Sequence, residues 1–167
     1  MATGTQVTIS TCLWFDDQAE EAARFYVDIF SNSRITSVSR YPDVGQEIHG
    51  RDAGTVMTVS FELDGRSFTA LNGGPVFKFN EAVSFVVHCA NQQEVDYYSD
   101  KLSSGGDPNA QQCGWLKDKY GVSWQVVPDV LLDMLKETGT PRSSRVFVAM
   151  LGMKKLDIAA LKKAWSE

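Results

Sequence analysis

The chain has 167 residues, of which 43% are hydrophobic and 22% are charged, and this composition excludes a disordered or fibrous protein. Its 16 Lys and Arg residues against 21 Asp and Glu residues give a net charge of −5, which argues against nucleic-acid binding through clustered basic residues. No apolar run approaches the roughly 20 residues of a membrane-spanning helix, and no secretory signal is expected at the N-terminus.

The first predicted elements are a strand over residues 7–15 and a helix that runs to about Phe30. Asp17, with Glu20 three residues later, has the pattern of a capping box and predicts the start of that helix. Because strand side chains alternate between faces, residues 7–15 carry two distinct sets. One face would carry Ser10, Cys12 and Trp14, and the other Ile9, Thr11, Leu13 and Phe15.

The next segments predict a strand and then a hairpin. A short strand over residues 35–41 is followed by a polar loop over 42–53. Apolar and polar residues alternate through 55–63, and Asp64-Gly65 is a typical two-residue hairpin turn, so residues 66–72 are predicted to pair with that strand. The predicted order of the first half is therefore β-α-β-β-β.

The same order begins again in the second half. A strand is predicted over 82–89, and Asn91 with Glu94 forms a second capping-box pattern that opens a helix ending at Gly105-Gly106. An extended stretch, a turn and a last strand follow, over 113–117, 118–121 and 122–127. Because the two capping patterns lie 91 − 17 = 74 residues apart, we interpret the chain as an internal repeat.

Beyond Pro128 the sequence predicts three short helices, over about 130–136, 144–153 and 157–165. Asp157 is the predicted N-cap of the last helix, with Leu156 and Leu161 as a hydrophobic staple. We interpret the lysines of this end as a solvated helix face in preference to a site for an anionic partner. They are Lys154, Lys155, Lys162 and Lys163.

Several catalytic motifs are absent from the sequence. Neither G-x-x-x-x-G-K-[ST] nor G-x-G-x-x-G occurs, so no phosphate cradle or dinucleotide site is predicted, and H-E-x-x-H and G-x-S-x-G are also missing. The only histidines are His49 and His88, which excludes a His-rich metal site. The three cysteines, Cys12, Cys89 and Cys113, are far apart, so we expect no disulfide framework and a reducing, cytoplasmic location.

Particular pieces of the sequence carry a resemblance to a known family. They are Leu13-Trp14-Phe15 with Ala19-Glu20-Glu21-Ala22 and Phe25-Tyr26, Ala70-Leu71-Asn72-Gly73-Gly74-Pro75, Phe77-Lys78-Phe79-Asn80, Cys113-Gly114-Trp115-Leu116 with Asp118, Tyr120-Gly121 and Trp124-Gln125, and the tail from Ala149 to Ile158. Together they resemble the PhnB-like branch of the vicinal oxygen chelate superfamily, which includes glyoxalase I, bleomycin-resistance proteins and extradiol dioxygenases. The family name of that branch is 3-demethylubiquinone-9 3-methyltransferase.

The resemblance implies an α+β fold of two βαβββ modules, over about 7–74 and 82–128. Their curved mixed sheets would enclose a cleft within one domain of residues 1–128, and residues 129–167 would form a C-terminal helical extension. The resemblance also implies a homodimer.

In metal-dependent members of the superfamily, His and Glu side chains on the first and last strands of the modules hold a divalent ion. The resemblance places Ser10, Ala70 or Asn72, Ser84 and Gln125 at these positions. Because none of them supplies an imidazole or a carboxylate, we expect no metal or other cofactor. Methyl transfer is not supported either, since the sequence has no glycine-rich cofactor loop.

The resemblance points a set of side chains into the cleft, where we expect a small organic ligand to bind. His88 alternates with Ser84 and Val86 and is the candidate catalytic residue, because imidazole is a suitable general base at neutral pH. Structural roles remain open, with Trp14 as core filling, Cys12 as an inert thiol and Asn72 as a turn cap. The predicted ligand-binding residues are Ser10, Cys12, Trp14, Asn72, Ser84, Trp115 and Gln125.

The sequence thus predicts a metal-independent protein that binds a small molecule, as an enzyme or as a sequestering protein. One alternative is a divalent-metal lyase or dioxygenase whose ligands are Glu62, His88 and Asn72. Another is a regulatory or interaction module that acts through its tail over residues 139–167. No nucleic-acid or membrane partner is expected.

Overall fold

Residues 9–167 are described by the computed structural model, and they form two units, each with its own sheet. The boundary between the units along the chain falls between Lys78 and Phe79. Among residues 9–167, no helix combines the length and the apolar character that crossing a membrane requires.

The first unit contains a four-stranded sheet in the order β1-β4-β3-β2. Strand β1 runs parallel to β4, and the other neighbouring strands are antiparallel. The elements are β1 Thr11–Phe15, α1 Ala19–Ile29, β2 Arg34–Arg40, α2 Gln46–His49, β3 Val56–Leu63 and β4 Arg66–Asn72.

The core of the first unit lies between helix α1 and one face of this sheet. The small and aromatic residues at helical spacing on α1 are buried, as the periodicity predicts. Tyr26 of α1 stacks on Phe61 of β3 at a centroid distance of 6.3 Å, and Phe61 stacks on Phe68 of β4 at 5.3 Å. Within residues 9–78, helix α1 covers one face of the sheet, and the alternate side chains of each strand lie on the opposite, open face.

The hairpin between β3 and β4 has the predicted turn. Asp64 and Gly65 both have positive φ angles, 46° and 75°, which is the geometry of a type I′ turn. The turn sets the register in which Leu63 pairs with Arg66 and Phe61 with Phe68.

The second unit contains a three-stranded sheet in the order β5-β7-β6, followed by three helices. Strand β5 is parallel to β7, and β6 is antiparallel to it. The elements are β5 Phe85–Cys89, α3 Gln92–Ser103, a 3₁₀ turn Pro108–Ala110, β6 Trp115–Lys117, β7 Ser123–Pro128, α4 Asp129–Lys136, α5 Pro141–Leu151 and α6 Ile158–Ser166.

The second module has the three strands that the sequence predicted over 82–89, 113–117 and 122–127, one strand fewer than the βαβββ order of the first module. The segment between α3 and β6 forms the 3₁₀ turn, and Cys113 and Gly114 then have positive φ angles of 53° and 85°. A backbone in the left-handed region cannot continue a strand, so no counterpart of β2 forms among the described residues.

The C-terminal helices have a core of their own, made with the end of β7. Its buried residues are Val127, Leu131, Met134, Val146, Leu156 and Leu161. The predicted N-cap Asp157 accepts a hydrogen bond from the Ala160 N–H at 2.9 Å. Gln92 of α3 joins this tail to the sheet layer, because its side chain donates to the Leu156 carbonyl and accepts from the Ile158 N–H.

Several predicted boundaries, and one predicted cap, differ from the structure. Strand β1 begins at Thr11, and of the earlier predicted residues, Val7 and Thr8 lie outside the described part. Strand β5 begins at Phe85 and not at residue 82, and the predicted loop over 42–53 contains the short helix α2. The capping box at Asp17 does not form, since Gln18 is the N-cap of α1 and makes no side-chain cap hydrogen bond.

Candidate functional site

Strand alternation assigns the predicted site residues to the open or the helix-covered face of each sheet. On β1, Leu13 and Phe15 are buried in the core of the first unit, whereas Cys12 and Trp14 lie on the open face. Helix α3 packs on the second sheet, on the face that carries the buried Val87, Trp124 and Val126. The opposite face of this sheet is open and carries three of the predicted residues, namely His88, Trp115 and Gln125. The candidate surfaces are therefore two open faces, one in each unit.

The centre of the second open face is a hydrogen-bonded pair, Gln125 and Ser84. Gln125 Nε2 donates to Ser84 Oγ over 2.8 Å, which joins residues 41 positions apart in the sequence. In either orientation of the amide, the pair leaves at least one hydrogen-bond donor and one acceptor unused. The amide of Gln125 is half-buried, and Ser84 provides it with a hydrogen-bond partner.

Trp115 lies beside this pair. It is directly opposite Gln125 in the antiparallel register of β6 and β7, and Cβ atoms of such pairs lie about 4.5–5.5 Å apart. The indole is half-buried, and no other aromatic ring of residues 9–167 stacks on it. The ring can therefore stack on a planar ligand next to the polar pair.

The charged groups of this face lie in pairs at its two ends. Lys117 forms an ion pair with Glu81, and the ammonium holds the pKa of that carboxyl below its usual range. At the other end, His88 Nδ1 lies 3.2 Å from Asp129 Oδ1. The middle of the face, with Ser84, Trp115 and Gln125, is uncharged.

Trp14 on the first open face is held in place by its neighbours. Its Nε1 donates to the Gly74 carbonyl at 2.9 Å, and its ring packs edge-to-face against Phe77 at 5.0 Å. A Cβ on Gly73 would lie only 2.0 Å from the indole, so this position accepts glycine alone. The indole therefore ties the end of β1 to the 73–77 segment, and its predicted contact with a ligand stays a prediction.

Cys12 is also on the first open face, and Ser10 is an exposed residue that precedes β1. Partial burial of the thiol raises the pKa of Cys12 above its usual value. A raised pKa leaves less thiolate at neutral pH, which agrees with the interpretation of an unreactive thiol.

Asn72 lies on the helix-covered face and not with Cys12 and Trp14. Its Oδ1 accepts from the Ala19 N–H at 2.8 Å, and its Nδ2 donates to the Val56 carbonyl at 3.0 Å. Asn72 therefore caps the N-terminus of α1, although it lies 53 positions from Ala19 in the sequence. Its predicted ligand contact finds no support in this placement.

A polar groove of about 520 Å³ borders the capped end of α1. Its lining includes Asp17, Glu20, Arg51 and Asp52. The Arg51 guanidinium is bonded to Asp16, and Asp17 and Asp52 are exposed. The groove thus has charged, solvated walls.

The residues that the resemblance places at the superfamily's metal positions lack the imidazole and carboxylate groups that suit a transition metal. Ser84 and Gln125 are neutral side chains bonded to each other, and Ala70 is fully buried on the covered face of the first sheet, where it cannot reach an ion beside Cys12. Among residues 9–167, no three His, Cys, Asp or Glu side chains lie close enough together to hold a metal.

The alternative ligand set of Glu62, His88 and Asn72 also fails on geometry. Glu62 lies on the open face of the first sheet, where it forms an ion pair with Arg34 at 2.9 Å, and Asn72 lies on the covered face. Side chains on opposite faces of one sheet cannot share an ion.

Sequence reasoning missed Asp129, the partner of His88. Asp129 is the first residue of α4 and directly follows the last residue of β7, which pairs in parallel with β5. Acidic residues are common at the start of helices, so the residue type of Asp129 gave no specific signal. Its position did, because Asp129 comes one residue after a strand that neighbours the strand of His88.

Comparisons with known proteins show which family the chain is similar to and which solved structures share its fold. A family model described as 3-demethylubiquinone-9 3-methyltransferase matches residues 7–127. Among solved structures, the chain is similar to the PhnB protein from Bacillus cereus, a proposed 3-demethylubiquinone-9 3-methyltransferase. The two are 36% identical, the match covers 73% of this chain and 99% of that protein, and the TM-score is 0.61.

More distant structures share the fold alone. Protein PA1353 from Pseudomonas aeruginosa is 16% identical, with 74% of this chain and 98% of that protein covered and a TM-score of 0.55. The fosfomycin resistance protein FosX from Listeria monocytogenes is also 16% identical, with 82% and 100% covered and a TM-score of 0.51. No curated protein matches the chain.

Proposed function

The chain belongs to the 3-demethylubiquinone-9 3-methyltransferase family, the PhnB-like branch of the vicinal oxygen chelate superfamily, and on that premise we propose that it binds a small, uncharged, planar organic molecule without a metal ion. The observation that carries this proposal is the Gln125–Ser84 pair beside the Trp115 indole.

The chemistry of these three side chains defines the ligand class. The pair offers one donor and one acceptor side by side, which complements a ligand edge with a neighbouring acceptor and donor, as in a carboxamide or a cyclic imide. The indole offers a flat apolar surface for the plane of the same ligand. Because the charged groups of this face are paired at its ends, a charged ligand gains no unpaired counter-ion there.

Methyl transfer, which the family description names, is not part of this proposal. Helices α1 and α3 each follow the first strand of their module, and a side chain of this protein caps each of them. Asn72 caps α1, and Asn91 caps α3. In each helix, one N–H that could bind an anionic cofactor group is therefore already occupied, and the sequence has no G-x-G-x-x-G loop.

The proposal is tested with three matched probes, benzamide, N,N-dimethylbenzamide and cyclohexanecarboxamide, in NMR titrations that follow the Trp115 indole N–H. Benzamide is expected to shift this signal most, because the second probe lacks the donor and the third lacks the plane. Loss of one hydrogen bond weakens binding by about 0.5–1.5 kcal/mol, roughly 2-fold to 13-fold.

Variants locate the site. Gln125→Ala and Ser84→Ala are expected to weaken benzamide binding, and Gln93→Ala, an exposed amide on α3, is the matched control that leaves it unchanged. Equal binding of all three probes, no response from any of them, or equal binding by all three variants would overturn the proposal.

A further inference from the structure

The two histidines of the protein have opposite hydrogen-bond environments. His49 Nδ1 accepts from the Arg51 N–H at 3.1 Å, and its Nε2 lies 3.2 Å from the Val44 carbonyl. Since a carbonyl oxygen only accepts, neutral His49 carries its proton on Nε2. His88 has the reverse arrangement, with Nδ1 facing the Asp129 carboxylate at 3.2 Å and with no partner of Nε2 among residues 9–167.

A carboxylate at Nδ1 determines what the other nitrogen can do. An ionised carboxylate only accepts hydrogen bonds, so the proton of neutral His88 must lie on Nδ1. The Nε2 lone pair is then available as an acceptor. Without such a partner, an exposed neutral imidazole is expected to be in the Nε2–H tautomer, which free histidine side chains prefer.

The backbone fixes this pair in relation to the candidate ligand face. His88 is two residues beyond Val86, the residue that pairs with Gln125, and so lies on the same open face of the sheet. Asp129 follows β7 at once and opens α4. Both partners therefore start from neighbouring parallel strands, and neither is carried by a long loop.

We propose that Asp129 is a positioning residue that holds His88 in the Nδ1–H tautomer and so presents Nε2 as a hydrogen-bond acceptor to a ligand on this face. The inference rests on the proposed function, because the ligand is the small molecule held by Gln125 and Ser84. The inference narrows the class of ligand to molecules that carry an additional O–H or N–H donor. If that proton transfers, one ligand O–H or N–H bond breaks, one Nε2–H bond forms, and the electron pair stays on the ligand.

Long-range ¹H–¹⁵N NMR of the neutral imidazoles tests the tautomer directly. His49 is expected to show the Nε2–H pattern and His88 the Nδ1–H pattern in the same spectrum. Asp129→Ala is expected to return His88 to the Nε2–H pattern, whereas Asp129→Asn keeps an oxygen acceptor and retains Nδ1–H. Asp133→Ala removes another exposed carboxylate of α4 and is expected to change neither histidine.

An Nε2–H pattern of His88 in the unsubstituted protein, or an unchanged pattern in Asp129→Ala, would overturn the inference. The ligand step is tested with salicylamide, which adds a phenolic O–H to benzamide. The expected result is a shift of His88 Nε2 in the unsubstituted protein and none in Asp129→Ala, and an equal response contradicts the positioning role. The tautomer spectra contain no ligand, so failure of the benzamide titration leaves them readable, and the two failures are distinguishable.

Discussion

Cys89 lies at the end of β5, opposite Pro128 of β7, and is fully buried. Its Sγ has only a weak contact with the Val87 carbonyl at 3.8 Å. Burial, with smaller contributions from the carboxylates of Glu94 and Asp129, raises the pKa of Cys89 to about 12. The thiol is therefore a small apolar core group at neutral pH.

This raised pKa predicts how stability depends on pH. The unfolded chain deprotonates Cys89 near its ordinary value of 9.0, and the folded chain only near about 12. Over this window the folded state binds more protons, so the free energy of unfolding falls as the pH rises, by at most about 1.4 kcal/mol per pH unit. Below pH 9 the contribution is fully present.

Urea unfolding of the protein and of Cys89→Ala, at a series of pH values between about 8 and 11, measures this effect. Groups other than Cys89 titrate in both proteins, so the difference between the two curves isolates the thiol. The unsubstituted protein is expected to lose stability more steeply above pH 9. Parallel curves would show that the folded state does not hold the thiol protonated.

At the scale of elements, helix α1 depends on a residue of another element for its start. Asn72, at the end of β4, caps the Ala19 N–H and also satisfies the Val56 carbonyl. Helix α3 is capped locally, because Asn91 accepts from the Glu94 N–H and Glu94 accepts from the Ala90 N–H. The same type of helix in the two modules therefore begins by different means.

We predict that Asn72→Ala destabilises the protein more than Asn91→Ala does. Removing Asn72 leaves two backbone groups without their partner at a position only 5% exposed, and a buried unsatisfied group costs about 1–3 kcal/mol. Loss of an exposed N-cap costs about 1 kcal/mol. Urea unfolding gives both values, and a smaller loss in Asn72→Ala would contradict the capping role.

Elements with local signals could be predicted from the sequence, and those that depend on distant residues could not. Strand β4 has its predicted bounds, and the turn at Asp64-Gly65 is as expected, because alternation and hairpin turns involve neighbouring residues. The cap from Asn72 was missed since its partner is 53 positions away. The three strands of the second sheet were predicted within three residues of their observed bounds, over 82–89, 113–117 and 122–127.

For the candidate site, too, local features could be predicted from the sequence, and features that depend on strand pairing could not. Alternation placed His88 and Gln125 correctly on one face of the second sheet, because it needs only the strand's own sequence. The face of Ala70 and Asn72 was wrong, since it depends on how β4 pairs with β1. The contact between Ser84 and Gln125 also required the register of two strands.

At the scale of the whole molecule, the residues that the resemblance places at the superfamily's metal positions are neutral, and Ser84 and Gln125 are bonded to each other. Side chains that could bind a metal are present, but three of them already form ion pairs with other residues. Glu62 pairs with Arg34, His88 with Asp129, and Glu81 with Lys117. A divalent ion that took Glu62, His88 or Glu81 as a ligand would therefore have to break an existing pair.

We therefore predict that protein purified without chelator or metal-affinity resin contains no stoichiometric transition metal by elemental analysis. Its melting temperature is expected to be the same with EDTA and with added Zn²⁺, because an ion stabilises a fold only as far as it binds the folded state. The matched control combines Ser84→His with Gln125→Glu, which puts an imidazole and a carboxylate where the present side chains are 2.8 Å apart. Zn²⁺ is expected to raise the melting temperature of this variant alone. One equivalent of metal in the unsubstituted protein would overturn the neutral-ligand site and direct substrate tests to carbonyl and diol compounds.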